Sequence, residues 1–344
     1  MATIKEIAER AGVSTTTVSN VIHGKTKKVS PANISKIEAL IKEMGYVQKM
    51  GLRVLNNEKS HLIAVVINYH KDFKDSILGD PFYGKILGFI EKYVQEQDYY
   101  LMLYSAKDTD KIFQMVMGWD VDGVIAISFS KSNCEKIYQL INKPIVSIDA
   151  YGELDAGQEN HVLNIGLDDE SGGYLMTKYL LECGYEHIQV CAGRDNGVDH
   201  FRYMGAQRAA KEFAGKKQKV QFTALGMNYA KRKESYAWLI QRKKPKTALF
   251  FLSDLYALEA ISFFSSRGVK IPEEIGIAGY DNISYAEFSV PRLTTISQNV
   301  EQKASLAVEI LMERINGVEK ERENEIELPV TLIPRKSVQP QDEN

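Results

Sequence analysis

The first 22 residues alternate apolar and polar positions with the period of two short helices. The apolar positions of the first helix recur at i, i+3, i+4 and i+7, which places them on one face: Ile4, Ile7, Ala8 and Ala11. Thr3 and Glu6 have the spacing of a capping box, in which each side chain bonds the other residue's backbone. Gly12 then interrupts the helix, and Ser14 is a suitable N-cap for a second one. The pattern predicts a helix, a turn and a helix.

The second helix has two chemically different faces. Val18, Val21 and Ile22 form its apolar side, and short uncharged polar groups form the other: Thr15, Thr16, Ser19 and Asn20. Such groups suit the base edges and phosphates of DNA better than a protein core. A third helix is predicted from Pro31, because proline favours the first helical position, to a stop at Gly45. The segment is therefore either a helix-turn-helix that reads the major groove or a small amphipathic domain that binds nothing.

From His61 onward the chain alternates short apolar runs with amphipathic helices. Continuous apolar runs of this length are typical of parallel strands that are buried on both faces. The runs form two series of predicted strands: 62–67, 100–104, 123–127 and 145–148, then 162–167, 187–192, 220–225, 248–252 and 275–278. Strands that alternate with helices predict an α/β fold, here two doubly wound parallel-sheet units that follow a small all-α domain.

Charge is distributed unevenly along the chain. Residues 1–60 contain ten Lys/Arg and five Asp/Glu, whereas the remaining 284 residues contain 33 Lys/Arg and 40 Asp/Glu. The formal net charge of −2 therefore conceals a basic head on an acidic body. A basic module of this kind is the expected electrostatic footprint of nucleic-acid binding, which favours the DNA interpretation of the helix-turn-helix.

Composition limits the other classes of function. The 344 residues are 44% hydrophobic, which is enough for two or three cores, and they contain no run of 18 apolar residues and no secretory signal pattern. We therefore expect a cytoplasmic protein without a membrane span. Three cysteines lack metal-ligand spacing and are expected to be buried thiols in a reducing compartment: Cys134, Cys183 and Cys191.

A catalytic interpretation lacks the residues that it needs. The six histidines are scattered, no serine lies in a Gly-x-Ser-x-Gly elbow, and no metal-ligand cluster or phosphate loop is visible. The pair Gly172-Gly173 lacks a Gly-x-Gly-x-x-Gly context and is expected to let a helix pack closely on its strand. We expect no enzyme activity, no cofactor and no metal.

Polar side chains follow several predicted strands. Asp149, Asp254 and Asp281 come after the runs that end at 148, 252 and 278. Ligands of open α/β sheets bind beyond the carboxyl ends of the strands, so these carboxylates are candidate ligand contacts. Each has a structural alternative, since Asp254 could cap the next helix and Asp281 could end its strand in an Asx turn. Phe82 and Tyr83 open the first long helix of the body and could contact a ligand or belong to the core.

Short motifs along nearly the whole chain resemble the lactose/galactose-repressor (LacI/GalR) family of bacterial transcription regulators. They are ATIKEIA (2–8), AGVSTTTVS (11–19), MGY (44–46), VDG (121–123), Arg202 with Gly205, GYDN (279–282), PRLTTI (291–296) and PRKS (334–337). The resemblance implies a helix-turn-helix domain at 1–47, a hinge at 48–60 and a ligand-binding and dimerisation domain at 61–344. The last would consist of an N-subdomain at about 61–162 and 293–325 and a C-subdomain at about 163–292 and 326–344, with a ligand cleft between them. We therefore expect the chain to cross between the subdomains near 160–164, 290–294 and 324–328.

The resemblance also implies roles for individual DNA-binding residues. Thr15, Thr16 and Asn20 would face the major groove, and three others lie where family members touch phosphates: Thr17, Ser19 and Tyr46. Arg53 and Leu55 fall on the family's hinge helix, where Leu55 would enter the minor groove and kink the duplex. A plain flexible linker is the alternative, because several residues depart from the family pattern or weaken a helix: Gln48, Lys49, Gly51 and Leu52.

In the body, the resemblance implies that a small effector binds in the cleft. Arg202 would reach this cleft, although it could instead form an interdomain salt bridge. The full set of expected contacts is Phe82, Tyr83, Asp149, Arg202, Asp254 and Asp281. Carboxylates and a guanidinium hold several hydroxyls at once, and aromatic rings pack on an apolar sugar face, so a sugar or related metabolite is favoured.

Together these features predict a homodimeric regulator, of the repressor type that is most common in this family, that binds a pseudo-palindromic double-stranded DNA operator. Apolar positions on the first long helix of the body are expected to form the dimer surface: Ile86, Leu87 and Ile90. A soluble sugar-binding protein without DNA function is the main rival class, and the basic head argues against it. An enzyme is the less favoured rival.

Overall fold

The computed structural model describes residues 2–46, 59–69, 77–213, 218–318 and 320–339. The chain divides into two compact units, residues 1–60 (the head) and residues 61–344 (the body). The hinge residues Arg53 and Leu55 lie outside the described residues, so their roles stay predictions. Across the described part of the chain, no helix combines the length and the apolar character needed to cross a membrane.

The head contains three helices: α1 (Ile4–Ala11), α2 (Thr15–Ile22) and α3 (Pro31–Glu43). The predicted capping box is present, since Glu6 N donates to Thr3 Oγ1 at 3.3 Å and Thr3 N donates to Glu6 Oε2 at 2.8 Å. Gly12 ends α1 at a φ of +70°, a left-handed conformation that glycine adopts without steric strain. Ser14 caps α2 by accepting a hydrogen bond from Thr17 N at 3.1 Å. The predicted helix-turn-helix is therefore observed.

Each helix of the head contributes a fully buried side chain to a common core. Ile7 of α1, Val18 of α2 and Ile37 of α3 are all 0% exposed. Full burial of such a side chain stabilises a fold by roughly 1.5–3 kcal/mol. Lys36 of α3 also donates to the carbonyl of Ala11 at 2.9 Å, which satisfies an acceptor at the end of α1. These contacts leave the polar side of α2 outside the core.

The body begins with eight elements: β1 (Leu62–Asn68), α4 (Pro81–Glu96), β2 (Tyr100–Ala106), α5 (Thr109–Gly118), β3 (Gly123–Ile127), α6 (Lys131–Ile141), β4 (Ile145–Ile148) and β5 (Leu163–Leu167). The following elements are α7 (Asp169–Glu182), β6 (His187–Ala192), α8 (Val198–Glu212), β7 (Lys219–Ala224), α9 (Tyr229–Gln241), β8 (Thr247–Phe251), α10 (Asp254–Ser265), β9 (Gly276–Asp281), α11 (Ser284–Phe288) and β10 (Thr294–Gln298). The body ends with α12 (Val300–Ile315), β11 (Glu325–Leu328) and β12 (Val330–Ile333).

The strands form two six-stranded sheets of the same order. The first is β11-β5-β4-β3-β1-β2, and the second is β12-β10-β9-β8-β6-β7. All pairs are parallel except β10 with β12, which is antiparallel. Every residue of β3, β8 and β9 is buried, because helices cover both faces of each sheet, and this burial explains the unbroken apolar runs. We call the two sheets with their helices the first half and the second half of the body.

The predicted crossings between the halves need correction. The resemblance predicts residues 163–167 in the C-subdomain, but β5 pairs with β4 and β11 in the first sheet. It predicts residues 293–298 in the N-subdomain, but β10 pairs with β9 and β12 in the second sheet. The third crossing lies between β11 and β12, so β11 remains in the first half. An apolar run predicts a strand, but it does not identify which of two equally buried sheets the strand joins.

The predicted dimer surface on α4 also needs correction. Ile86 and Ile90 are 0% exposed and belong to the core of the body itself. Leu87 is partly buried against the same core. The helix packs these positions inward against α12, so they are not available to a second subunit. The amphipathic pattern identified an apolar face correctly, and the chain's own core covers that face.

Candidate functional site

The polar side of α2 is the candidate DNA-reading surface of the head. Thr15 and Thr16 are exposed, and Ser19 and Asn20 are half-buried. Thr17 differs from them, because its hydroxyl bonds the hydroxyl of Ser14 at 2.9 Å and so helps to order the helix start. Four uncharged hydrogen-bonding side chains are therefore arranged on one short helix, the type of surface that fits base edges in the major groove.

Tyr46, the predicted phosphate contact after α3, is half-buried and packs on the core of the head. Burial raises the pKa of its phenol above the usual value, so the hydroxyl stays protonated. A protonated phenol can donate a hydrogen bond to a phosphate oxygen.

A cavity of about 340 Å³ lies at the carboxyl ends of strands from both sheets. Ligand pockets typically have volumes of about 300–1,000 Å³. Residues at or just beyond the ends of seven strands line the cavity: Asn68, Ser128, Asp149, Gly193, Ser253, Asp281 and Gln298. The starts of α4 and α8 complete the wall with Phe82, Tyr83 and Asp199. The topology thus delivers side chains from both halves to one place, as the strand-end rule expects.

Five of the six predicted ligand contacts line this cavity. Phe82, Tyr83 and Asp149 reach it from the first half, whereas Arg202 and Asp281 reach it from the second. The two rings of α4 meet edge to face with centroids 5.4 Å apart. The Tyr83 hydroxyl lies 3.1 Å from Ser128 Oγ, and burial raises the pKa of this phenol.

Asp254 is the predicted contact that the structure places elsewhere. Its side chain is 0% exposed and does not line the cavity. One carboxylate oxygen accepts from Ile283 N at 3.0 Å, and the other accepts from Thr295 Oγ1 at 2.6 Å. Asp254 also contacts the backbone of Gly279 so closely that a Cβ there would lie 2.1 Å from Oδ1. It therefore fastens α10 to β10 and to the loop after β9, which is a structural role.

A chain of hydrogen bonds joins the two halves beneath the cavity. Lys303 of α12 donates to both oxygens of Asp149, at 2.8 and 2.9 Å, and to Gln298 Oε1 at 3.2 Å. Gln298, the last residue of β10, donates through Nε2 to Asp281 Oδ1 at 2.5 Å. The network starts at the end of β4 in the first sheet and ends at β9 in the second.

Arg202 is held by a second polar cluster. Its Nε donates to Asp169 Oδ1 at 2.8 Å, and its Nη1 donates to the carbonyl of Leu252 at 3.0 Å. The guanidinium carbon lies 3.7 Å from the centre of the Tyr280 ring, and the Tyr280 hydroxyl bonds the same Asp169 oxygen. The alternative of an interdomain salt bridge is not observed, because both carboxylates that pair with Arg202 belong to the second half, Asp169 to α7 and Asp199 to α8.

Two glycines allow the helix contact that positions Arg202. A Cβ at Gly173 of α7 would lie 1.8 Å from the backbone oxygen of Arg202, and a Cβ at Gly205 of α8 would lie 1.8 Å from the backbone oxygen of Glu170. Both distances are far inside van der Waals contact, so only glycine permits this approach of the two helices. Gly172 similarly leaves room for the Tyr280 hydroxyl. The expected close packing is therefore present, but against α8 and Tyr280 rather than between a helix and its own strand.

Several cavity residues were missed by the sequence analysis. Ser128, Tyr151, Asp199 and Tyr256 all line the wall. Ser128 directly follows β3, so the rule that identified Asp149 could have found it. Asp199 and Tyr256 lie on helices, where no comparable signal existed. Burial raises the pKa of Asp199 to about 7, although the nearby Arg202 acts in the opposite direction.

Burial also raises the pKa of Asp281 above its usual range, again against the effect of Arg202. Within the described ranges, no group of three or more His, Cys, Asp or Glu side chains is arranged to hold a metal ion. The cavity therefore offers carboxyl groups, a guanidinium and aromatic rings, a set that suits a polar organic ligand.

Two family descriptions match the chain. Residues 3–49 match bacterial regulatory proteins of the lacI family, and residues 177–338 match a periplasmic binding protein-like domain. The chain is 32% identical over 350 residues to the HTH-type transcriptional repressor PurR of Pasteurella multocida, covering 98% of this chain and 99% of that protein. PurR of Aliivibrio salmonicida is also 32% identical, over 346 residues, with the same coverage.

Solved structures agree with this likeness. A complex of the transcriptional regulator CelR with cellobiose is 26% identical to the chain with a TM-score of 0.67, covering 98% of this chain and 100% of that one. The lac repressor dimer bound to operator and the anti-inducer ONPF has the same fold, with a TM-score of 0.81 at 20% identity and coverage of 98% and 99%.

Proposed function

The chain belongs to the lacI family of bacterial regulatory proteins, as a DNA-binding transcription regulator, and we propose that a sugar or related metabolite in the body cavity controls its affinity for an operator. The observation that carries this proposal is a single cavity lined from both sheets. A ligand that contacts both walls favours the arrangement in which the halves approach each other. Operator affinity then changes if the two arrangements differ in how well they present the heads to DNA.

The walls of the cavity support a polyhydroxylated effector. Carboxyl oxygens of Asp149 and Asp281 can accept hydrogen bonds from hydroxyls, and Arg202 can donate them. Phe82 and Tyr83 can pack on the apolar face of a sugar ring. The cellobiose bound to the related CelR supports the same class of ligand.

For the head, we propose that Thr15, Thr16 and Asn20 contact bases, while Thr17, Ser19 and Tyr46 contact phosphates. The exposed or half-buried polar face of α2 supports this assignment. Residues 48–60 would act as the hinge, with Arg53 and Leu55 at the minor groove.

We also propose a homodimer on a pseudo-palindromic operator, by analogy with the lac repressor dimer of the same fold. Because Ile86 and Ile90 are buried, the apolar edge strand β2 is the better candidate surface, with Tyr100 62% exposed and Leu103 36% exposed. Sedimentation at micromolar concentration tests this, and a stable monomer would contradict it.

The decisive experiment selects operators from random-sequence DNA and then measures binding of variants. Asn20→Ala should relax base preference at one symmetric pair of positions, by about 1–3 kcal/mol for a well-made contact. Glu38→Gln, an exposed change on α3, is the control and should bind as the wild type does. Uniform weakening of Asn20→Ala on all operator variants would show that Asn20 does not read bases. Titration of sugars into the wild-type complex then tests effector control.

A further inference from the structure

Among the described residues that line the cavity, carboxyl groups outnumber cations. Four aspartates line it, whereas the described cations at its wall are two arginines: Asp80, Asp149, Asp199 and Asp281, against Arg194 and Arg202. This balance of charges matters because charges interact more strongly with a ligand in a cavity of low dielectric constant than with a ligand in water.

The cations that the structure describes near the cavity already have partners within the protein. A lysine ammonium has three donors, and the 0% exposed Lys303 directs its bonds to both oxygens of Asp149 and to Gln298. Arg202 is paired with Asp169 and also bonds the carbonyl of Leu252. Arg194 has a partner as well. An anionic ligand would therefore have to compete with these contacts.

Two carboxyl groups of the cavity wall are not neutralised by an ion pair with a described cation. Asp80 accepts from the backbone of Phe82 at 2.9 Å, and Asp281 accepts from the amide of Gln298. Within the part of the chain that the structure describes, neither aspartate forms an ion pair. Burial raises the pKa of both, against the lowering effect of a nearby arginine, Arg232 for Asp80 and Arg202 for Asp281. Carboxyl groups without a paired cation can accept hydrogen bonds from the hydroxyl groups of a ligand.

We infer that the cavity selects an uncharged ligand rich in hydroxyl donors and rejects the phosphorylated form of the same compound. This inference rests on the proposed function, because it assumes that the cavity is the effector site. A phosphate adds about 1.5 to 2 negative charges and acceptor oxygens. In this cavity those oxygens would face carboxyl groups, because the described cations nearby already have partners in the protein. The Lys303–Asp149 pair is central to this selection, because Asp149 neutralises the buried Lys303 ammonium beneath the cavity.

The test uses thermal shift followed by calorimetry on the full chain. The probes are glucose, ribose, cellobiose and xylose, each paired with its monophosphate. We expect at least one uncharged sugar to bind, and its monophosphate to bind roughly tenfold more weakly or worse. Binding of a monophosphate as tightly as its parent, or no binding of any uncharged sugar, would overturn the inference.

Two variants locate the origin of the selection. Asp149→Asn removes the charge that neutralises Lys303, and Asp281→Asn removes a carboxyl group that has only a neutral partner, so it leaves no cation unpaired. Asp149→Asn should reduce the preference for the uncharged sugar by roughly fivefold or more. Asp281→Asn should reduce it less, because burial raises the pKa of Asp281 and so favours its uncharged form. Asp155→Asn, outside the cavity, should leave the preference unchanged. If neither cavity variant that folds alters the preference, the proposed selection by charge is wrong.

Operator binding separates this inference from the proposed function. If a monophosphate binds and changes operator affinity, effector control stands and the selection fails. If an uncharged sugar binds, outcompetes its monophosphate and leaves operator affinity unchanged, the selection stands and effector control by that sugar fails.

Discussion

The two halves of the body have the same strand order but build different walls of the cavity. The first half contributes the rings of Phe82 and Tyr83 and an ion pair, Asp149 with Lys303, that bridges two of its elements. The second half contributes the Arg202 cluster, which is enclosed by glycine-dependent helix packing. Their outermost strands differ too, since β11 is parallel to β5 and β12 is antiparallel to β10.

The strand order therefore determines where the cavity side chains lie, whereas the packing around each side chain determines its chemistry. In the second half, Arg202 is fixed by a carboxylate, a carbonyl and an aromatic ring before any ligand arrives. A group that is ordered in advance loses little conformational freedom on binding. We therefore expect the second half to be the rigid wall and to be the more sensitive of the two to mutation.

The largest effect is expected from Arg202→Ala. The change leaves Asp169 buried without its cation, which typically destabilises a protein by about 3–5 kcal/mol. Lys303→Met in the first half should destabilise less, because Asp149 borders the cavity, where water can reach it. Urea denaturation of both variants measures the difference. Equal decreases in the free energy of unfolding of the two variants would contradict the expected difference between the halves.

The double variant Arg202→Met with Asp169→Asn separates folding from ligand binding. Without the buried charge it should recover most of the lost stability, yet it should still fail to respond to the effector. A normal effector response at the wild-type concentration would show that Arg202 is purely structural.

The next effect concerns the contact between α7 and α8. Gly173→Ala places a methyl group against the backbone oxygen of Arg202, and overpacking of this kind costs about 1–3 kcal/mol or more. Gly88→Ala in α4 is the matched control, because no atom apart from its chain neighbours and the nearby backbone of its own helix lies within 4 Å of its Cβ position. The control should stabilise the protein by roughly 0.5–1 kcal/mol, since alanine favours helix more than glycine does. Thermal unfolding measures both changes, and a lower melting temperature of both variants would contradict this comparison.

The smallest effect concerns the pH dependence of stability. The folded pKa of Asp199 is about 7 and its ordinary value is 3.8, so between these pH values the folded state binds a proton that the unfolded state has released. This group therefore lowers stability as pH rises from about 4 to 7. The wild type should lose about 1.4 kcal/mol per pH unit over this interval, so the stability of Asp199→Asn relative to the wild type should rise by about 2–3 kcal/mol between pH 5 and pH 8.

The control for this experiment is Asp155→Asn. The Ser132 and Lys136 side chains lower the pKa of Asp155 below 3.8, so the group is ionised in both states from pH 5 to pH 8. Its difference from the wild type should then stay constant over that range. If the stability difference between Asp199→Asn and the wild type also stays constant from pH 5 to pH 8, the cleft does not raise the pKa of Asp199.

Particular residues show how far the sequence predicted the site. Asp149 and Asp281 were found because parallel strands place their carboxyl ends at one edge, and this rule needs no knowledge of packing. Asp254 follows a strand as well, but its partners Ile283 and Thr295 come from other elements that the local pattern does not identify. The sequence analysis did not identify Asp199, because no comparable rule predicts ligand contacts at the start of a helix.

The amino-acid pattern was sufficient to predict the caps and turn of the head, nine of the twelve strands that the structure describes, and the charge contrast between head and body. The caps, the turn and the strands depend on neighbours within a few residues, such as Thr3 with Glu6. Tertiary contacts set three other features: the sheet that β5 and β10 join, the burial of Ile86 and Ile90 in the core, and the carboxylate with which each buried cation pairs. Those outcomes depend on contacts between residues far apart in the chain, because two similar sheets offer equally apolar environments and only packing distinguishes them.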